Sequence, residues 1–240
     1  MKKIRLSLFA LSATVMMSGC AVNSMGISAG MDLIKAATIS NGEMKSMALT
    51  AAKGMDAKNS VAPDGNKYAE RLKKITANLK IPEGLDLNYK VYLVDEVNAF
   101  AMADGTVRVY SGLMDLMNDE ELLFVMGHEI GHVKHEHSKE SYRMAYAAQA
   151  TRKATASVGG TAGALAAGSL GGLAEKLLNS QFSQSEESEA DEFGLAFMKL
   201  NNLNPNAAVT ALEKLGGGES SMFSSHPGSK DRAEAIKSQI

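Results

Sequence analysis

Four of the five histidines in this 240-residue chain fall within ten positions, in "GHEIGHVKHEHS" at 127–138, and two of them flank a glutamate. On an α-helix, residues four apart lie about 40° from each other around the axis, so His128 and His132 project side by side and can share one tetrahedral ion. Glu129 is turned about 60° from His132. It can therefore reach a water on such an ion without displacing it. The pattern H-E-x-x-H supplies two metal ligands and a general base on one helix, the equipment of metal-assisted hydrolysis. A solvated, His-rich surface turn is the bland alternative. Against it, Phe124, Val125, Ile130 and Val133 surround the motif with apolar side chains. Gly127 and Gly131 each cost about 1 kcal/mol relative to alanine inside a helix. Their presence predicts something close to that backbone, a neighbouring strand or a bound peptide.

A catalytic zinc takes three protein ligands and keeps a place for water, so one more ligand must come from elsewhere. His135 shares the face of His128, but a rise of about 10 Å separates them. His137 points away, and both read as structural or solvent-facing. Ser138 stands where the longer pattern H-E-x-x-H-x-x-G-x-x-H would place its last histidine. The acidic stretch "EESEADEFG" offers Glu186, Glu187, Glu189, Asp191 and Glu192. Helical phase puts Glu187 and Asp191 on one face and leaves the other three reading as solvated surface. Glu187 is then the candidate third ligand for one zinc ion per chain. Asp191 is the candidate carboxylate that accepts a ring N–H from a ligand histidine.

These residues need elements that hold them together. With 45% apolar and 22% charged residues and a formal charge of −2, the chain can enclose a core. It lacks the basic face that nucleic-acid binding requires, which excludes that partner. One helix is expected from Ile27 to about Lys53, and Tyr68, Leu72, Ile75 and Leu79 mark an amphipathic helix from about Asn66 to before Pro82. "LNYKVYLV" alternates as a strand, and "NAFAMADGTVRVY" reads as two short strands around an Asp104-Gly105 turn. Ser111 is a candidate cap for a helical turn at "SGLMDLM", and Asp119 for the helix that carries the histidines. Ser183 with Glu186 forms a candidate capping box for the acidic helix, and two helices follow, one from Asn204-Pro205 and one at the C-terminus. The expected class is α+β, mainly helical, with a small antiparallel sheet or hairpin beside the metal-binding helix.

Two stretches bear on the membrane. Lys2, Lys3 and Arg5 precede the apolar "LSLFALSATVMM" and then "MSGC", the layout of an export signal. Residues 153–175 enclose a run of Gly, Ala, Ser and Thr with only Val158, Leu165, Leu170 and Leu173 as large apolar side chains. Such a run inserts weakly into lipid, so it reads as a flexible helical or loop excursion beside the active site.

At its two motifs the chain resembles the M48 zinc metalloproteases, which join "HEIGH" on one helix to an "ExEAD" helix further along. The matching residues are His128, Glu129 and His132, then Glu187, Glu189, Ala190 and Asp191. The likeness runs through "NAFAMADGTVRVYSGLM", His137 at the close of the first motif, and "SHPGSKDR" near the end. One departure is Met102-Ala103-Asp104, where many relatives carry Leu-Pro-Gly. The resemblance implies a zincin-like metallopeptidase domain over 62–240, with Glu187 as ligand and Asp191 in support. It also implies a His-Pro loop and an arginine next to the zinc. His226 and Arg232 are thereby candidate donors to a developing oxyanion, and His226 is also a candidate to occupy the open zinc position at rest. The first residues resemble a bacterial lipoprotein signal: 1–19 removed, Cys20 lipidated, and 20–61 an anchor with a helical segment. Ala21 after the cysteine implies the outer membrane, with the body facing the periplasm.

The function expected is a zinc endopeptidase of the cell envelope acting on unfolded or misfolded proteins, with outer-membrane proteins among its partners. Glu129 would take a proton from water and return it to the leaving amine. The strand at Asn98, Ala99, Phe100 and Ala101 would pair with an extended substrate. The competing expectation is a zinc-stabilised lipoprotein chaperone or scaffold without turnover, for which a retained general base has no use.

Overall fold

The computed structural model describes residues 24–157, 182–216, 222 and 225–240. The expected lipidation site at Cys20, the signal stretch and most of the uncharged run at 153–175 lie outside them. Where one N-terminal helix was expected there are two, α1 (Ser24–Thr38) and α2 (Asn41–Lys58). The break is local chemistry. Ser40 accepts from the Glu43 N–H while Glu43 accepts from the Ser40 N–H, a capping box that starts a new helix. Helix α3 (Lys67–Thr76) is capped by Asn66 and buries Leu72.

Strands β1 (Asn88–Tyr92), β2 (Ala99–Ala101) and β3 (Thr106–Tyr110) form one sheet in the order β1-β3-β2. The β2-β3 hairpin is antiparallel, turning at Gly105 with φ of 91°. A side chain there would meet the carbonyl oxygen of Asp86 at 1.8 Å. β1 pairs with β3 in parallel, Asn88 opposite Thr106 through Tyr92 opposite Tyr110, so the sheet is mixed rather than antiparallel. That pairing becomes available because 13 residues lie between Tyr92 and Thr106, enough to include β2 and bring the chain back in the same direction.

Helix α4 (Ser111–Leu116) follows β3 directly. Ser111 does not cap it; its hydroxyl donates to the Val94 carbonyl at 2.9 Å. Helix α5 (Asp119–Lys134) carries the histidine motif and is capped one residue earlier than expected, by Asn118 with Glu121. It is buried continuously from Glu121 to His132, as an element surrounded on all sides must be. Helices α6 (His137–Ser157), α7 (Gln184–Leu200), α8 (Asn206–Leu215) and α9 (Ser229–Lys237) complete the order. The Ser183–Glu186 capping box at the start of α7 is present.

One apolar core joins Leu72, Val91, Val107, Phe124, Ile130, Met198, Leu212 and Ile236, drawing on the sheet's inner face and helices α3, α5, α7, α8 and α9. A smaller cluster of Ala36, Ile39, Met44 and Tyr142 fastens α1 and α2 to α6. No helix among the described residues is long and apolar enough to cross a membrane.

Candidate active site

Gly127 and Gly131 are explained by α7, not by a strand or a peptide. A Cβ on Gly131 would lie 3.1 Å from both the Cα and the carbonyl oxygen of Ala190, and one on Gly127 would lie 2.9 Å from the Phe197 ring. Gly194 answers from the other side, where a Cβ would meet the His128 amide nitrogen at 3.2 Å. Backbone therefore meets backbone at the crossing of α5 and α7. That closeness delivers the acidic face of α7 to the histidines.

Glu187 and Asp191, one turn apart, both reach His128, and both are buried. Asp191 Oδ1 lies 2.9 Å from His128 Nδ1. Glu187 Oε2 is 3.6 Å from His128 Nε2, and its Oε1 is 3.5 Å from His132 Nε2. The two Nε2 atoms are 3.0 Å apart. Asp191 also accepts two bonds of 2.7 Å from Arg232, whose Nη1 touches Glu187. Arg232 thus grips both carboxylates beside His128.

Around His132 the structure departs from expectation. His137 does not point away; it is buried, with Nδ1 at 2.9 Å from His132 Nδ1 and Nε2 at 3.1 Å from Glu189 Oε2. Glu189 is half exposed, yet it ends a chain of contacts that begins at the histidine pair. Phe182 stacks on the His132 ring at 3.8 Å between centroids. Neither contact has a local sequence signature. His135 stays exposed, and Glu186 closes the capping box at the start of α7.

These contacts are consistent with one set of ring tautomers, in which Arg232 Nη2, 3.2 Å from His128 Nδ1, donates to Asp191 at 2.7 Å instead of to the ring. The Asp191 carboxylate can only accept, so His128 donates from Nδ1 and keeps a lone pair on Nε2. Glu189 likewise takes the Nε2 proton of His137, leaving His137 Nδ1 to accept from His132 Nδ1. His132 Nε2 then also carries a lone pair. Two buried acceptor nitrogens 3.0 Å apart and a buried carboxylate converge on one point, a cluster of lone pairs that a cation between them would satisfy. The donor set of two imidazoles and one carboxylate matches the protein ligands of a catalytic zinc. Burial holds the His128 pKa well below its ordinary value and brings that of His132 down to about 4, so both are ready to ligate at neutral pH. Burial alone would raise the Glu187 pKa, but bonds from His132 and His226 outweigh it and hold the carboxyl well below its usual range.

His226 comes from the loop before α9 and faces this cluster. Its Nδ1 is 2.9 Å from Glu187 Oε1 and 3.2 Å from His128 Nε2, and its Nε2 is 3.3 Å from Glu129 Oε1. With His128, His132 and Glu187 it forms a group whose ligand atoms all lie within 4.8 Å of one another. Burial lowers its pKa, but Glu129 and Glu187 reverse that and raise it above the ordinary histidine value. Glu129 is buried, and desolvation pushes its carboxyl up to about 7.

Beside Glu129 runs a cavity of about 240 Å³, bordered by β2, His132, His226 and Phe182. β2 is an edge strand. Asn98 accepts from the Tyr110 N–H and Met102 donates to Thr106, so the even-numbered residues face β3. The backbone groups of Ala99 and Ala101 are therefore turned to the edge that no strand covers, toward the cavity, where the Ala101 N–H meets the Glu129 carboxylate.

Comparison with known proteins agrees with this geometry. Residues 64–240 match the model of peptidase family M48. The chain is 42% identical to metalloprotease LoiP of Escherichia coli (strain K12), covering 99% of this chain and 97% of that one. It is 40% identical to metalloprotease YcaL of the same organism, covering 100% and 98%. The beta-barrel assembly-enhancing protease of Escherichia coli (strain K12) is 32% identical over half of this chain and 26% of its own length.

Proposed function

The chain belongs to peptidase family M48 and is a metalloendopeptidase, and from that premise we propose a zinc enzyme of the bacterial cell envelope that cleaves unfolded or misfolded proteins. In this reading it is tied to the outer membrane by lipid on Cys20 and faces the periplasm. The observation that carries the catalytic part is the convergence of His128 Nε2, His132 Nε2 and Glu187 beside an unpaired strand edge. Support for the location comes from the basic and apolar start of the chain before Cys20. Outer-membrane protein substrates are suggested by the name of one relative, a beta-barrel assembly-enhancing protease.

His128, His132 and Glu187 would hold the ion. A zinc ion, when bound, supplies Lewis acidity toward a water and toward the scissile carbonyl. The substrate backbone pairs with Ala99 and Ala101 in extended form, which demands little of its side chains and suits unfolded chains. Glu129, buried and with a raised pKa, takes the water proton and hands it to the leaving amine. Asp191 and Arg232 fix His128, and His137 fixes His132, in the tautomer that presents Nε2. Arg232 is held by Asp191 and Glu187 beside His128, so it acts in positioning; His226, which faces Glu129, is the residue left to donate to the carbonyl oxygen as negative charge develops.

The contact of His226 with His128 and Glu187 favours a second role, blocking the open ligand position at rest. His226→Ala separates the two: a donor's loss slows cleavage, whereas a blocker's loss speeds it. The main test is Glu129→Gln on an unfolded substrate such as reduced casein. Retained metal with cleavage down by about 100-fold or more is expected for a lost general base. Equal cleavage by both proteins removes Glu129 from that role, and binding of casein without cleavage by the wild type favours the chaperone alternative.

A further inference from the structure

The cavity beside β2 has a wall that lies before the family match begins at residue 64. Met55, near the end of α2, borders the same space as Glu129, His132 and His226. Its position is fixed by ties on every side. The next residue, Asp56, accepts from Arg108 Nε at 2.8 Å and Nη2 at 3.0 Å, from Lys90 Nζ at 2.7 Å and from the Tyr92 hydroxyl at 2.7 Å. Asn59 caps the helix by donating backbone and side-chain N–H groups to the Met55 carbonyl itself. The chain then bridges Val61 to Tyr92, with Leu93 donating to Ser60 and Ala62 to Val91. Small residues, Ala48 and Ala52, make up much of the buried face of α2, so charge and backbone pairing set its place more than apolar area does.

Met55 shares the cavity with Phe100 and Tyr110, whose rings rise from the same outer face of the sheet with centroids 6.4 Å apart. The exposed Glu96 borders it too. An extended peptide added to the edge of β2 sends alternate side chains to opposite faces. Those on the outer face enter the space between α2 and the two aromatic rings.

We propose that α2 is a wall of the peptide cleft, and that Met55, Phe100 and Tyr110 form an apolar subsite for one large aliphatic or aromatic side chain of the substrate. This rests on the reading of β2 as the substrate platform. Methionine's unbranched thioether adapts its shape, so the subsite accepts several large apolar side chains instead of one. Glu96 repels a carboxylate entering there, so an acidic side chain is refused. Specificity then comes in part from a helix that precedes the residues matching the family model.

The test is binding of Ser/Gly-rich decapeptides, each with one central Leu, Phe, Ala or Glu, to the metal-loaded Glu129→Gln protein, read by fluorescence anisotropy. Leu and Phe peptides are expected to bind about tenfold tighter than the Ala and Glu peptides. Adding Met55→Ala is expected to cost the Leu and Phe peptides about tenfold and to leave the Ala peptide unchanged. Met55→Gln, which keeps side-chain length and helix propensity, is expected to do the same. Equal affinity for all four peptides, or a loss shared by all four in both variants, overturns the subsite. Turnover by the wild-type protein is measured alongside. Absent cleavage with a Met55-dependent preference would overturn the zinc-protease mechanism and leave the subsite standing.

Discussion

The two helix contacts that frame the cleft are held by opposite means. Where α5 crosses α7, Gly127, Gly131, Ala190 and Gly194 let backbones touch, so small residues set the separation at which His128 and His132 meet Glu187 and Asp191. Where α2 meets the outer face of the sheet, a nearly fully buried arginine, a lysine and a tyrosine converge on one aspartate. Close packing has steep walls and fixes separation to tenths of an ångström, which is what two histidines and a carboxylate from different helices need to share an ion. An ionic clasp fixes orientation with more give, which suffices for the wall proposed to meet varied side chains.

The contrast can be broken at either end, and the largest effect is expected at α2. Asp56→Asn leaves the Arg108 guanidinium buried without its counter-charge. The expected loss is about 3 kcal/mol of unfolding free energy in a urea titration, the low end for a broken buried pair because Asp56 keeps some exposure. Metal affinity should stay within about twofold, since the proposed ligands sit on the other contact. Desolvation would raise the Asp56 pKa, but bonds from Arg108, Lys90 and Tyr92 overcome it and hold the pKa below its ordinary 3.8. A depressed folded pKa contributes stability in full above that ordinary value and loses it as pH falls further. The gap between wild type and variant should therefore be constant above about pH 5 and shrink below about pH 4. A gap that does not change with pH would remove the charge from the explanation.

Second in size is Asp191→Asn, expected to weaken zinc binding by about 10- to 100-fold in chelator competition, because His128 loses the carboxylate that orients it. Unchanged affinity would show that Arg232 and the helix alone orient the ring. Third is Gly131→Ala. The added methyl meets backbone at 3.1 Å, so α7 must shift, and overpacking of about 1–3 kcal/mol is offset by about 1 kcal/mol of gained helix propensity. A net loss near 1 kcal/mol is expected, with a severalfold fall in zinc affinity as Glu187 moves with α7. Stability lost with zinc affinity intact would separate the crossing from the site. The smallest change is Glu189→Gln. Glu189 is half exposed and acts only through His137, so less than about threefold in zinc affinity is expected.

The same contrast explains what could be read in the sequence. His128, Glu129 and His132 lie on one helix, and Glu187 and Asp191 on another, so helical phase alone groups each set. The glycines of α5 announced a close neighbour but not its identity, because a small residue records only that space is short. The parallel pairing of β1 was hidden, since a strand's alternation carries no direction. Ser40 and Asn118 began helices at positions where several capping residues compete. His137 and Phe182 meet His132 from 5 and 50 positions away, and Met55 shares its cavity with Glu96, 41 positions away; no local pattern marks such contacts.

Anomalous diffraction at the zinc edge, from crystals grown without chelator, tests the central claim most directly. The expected result is one strong peak within bonding distance of His128 Nε2, His132 Nε2 and a Glu187 oxygen, about 2.0–2.2 Å from each. Its contradiction is a metal-free site in protein that still cleaves casein, or a peak held by His135, His137 and Glu189 with none between the two α5 ligands.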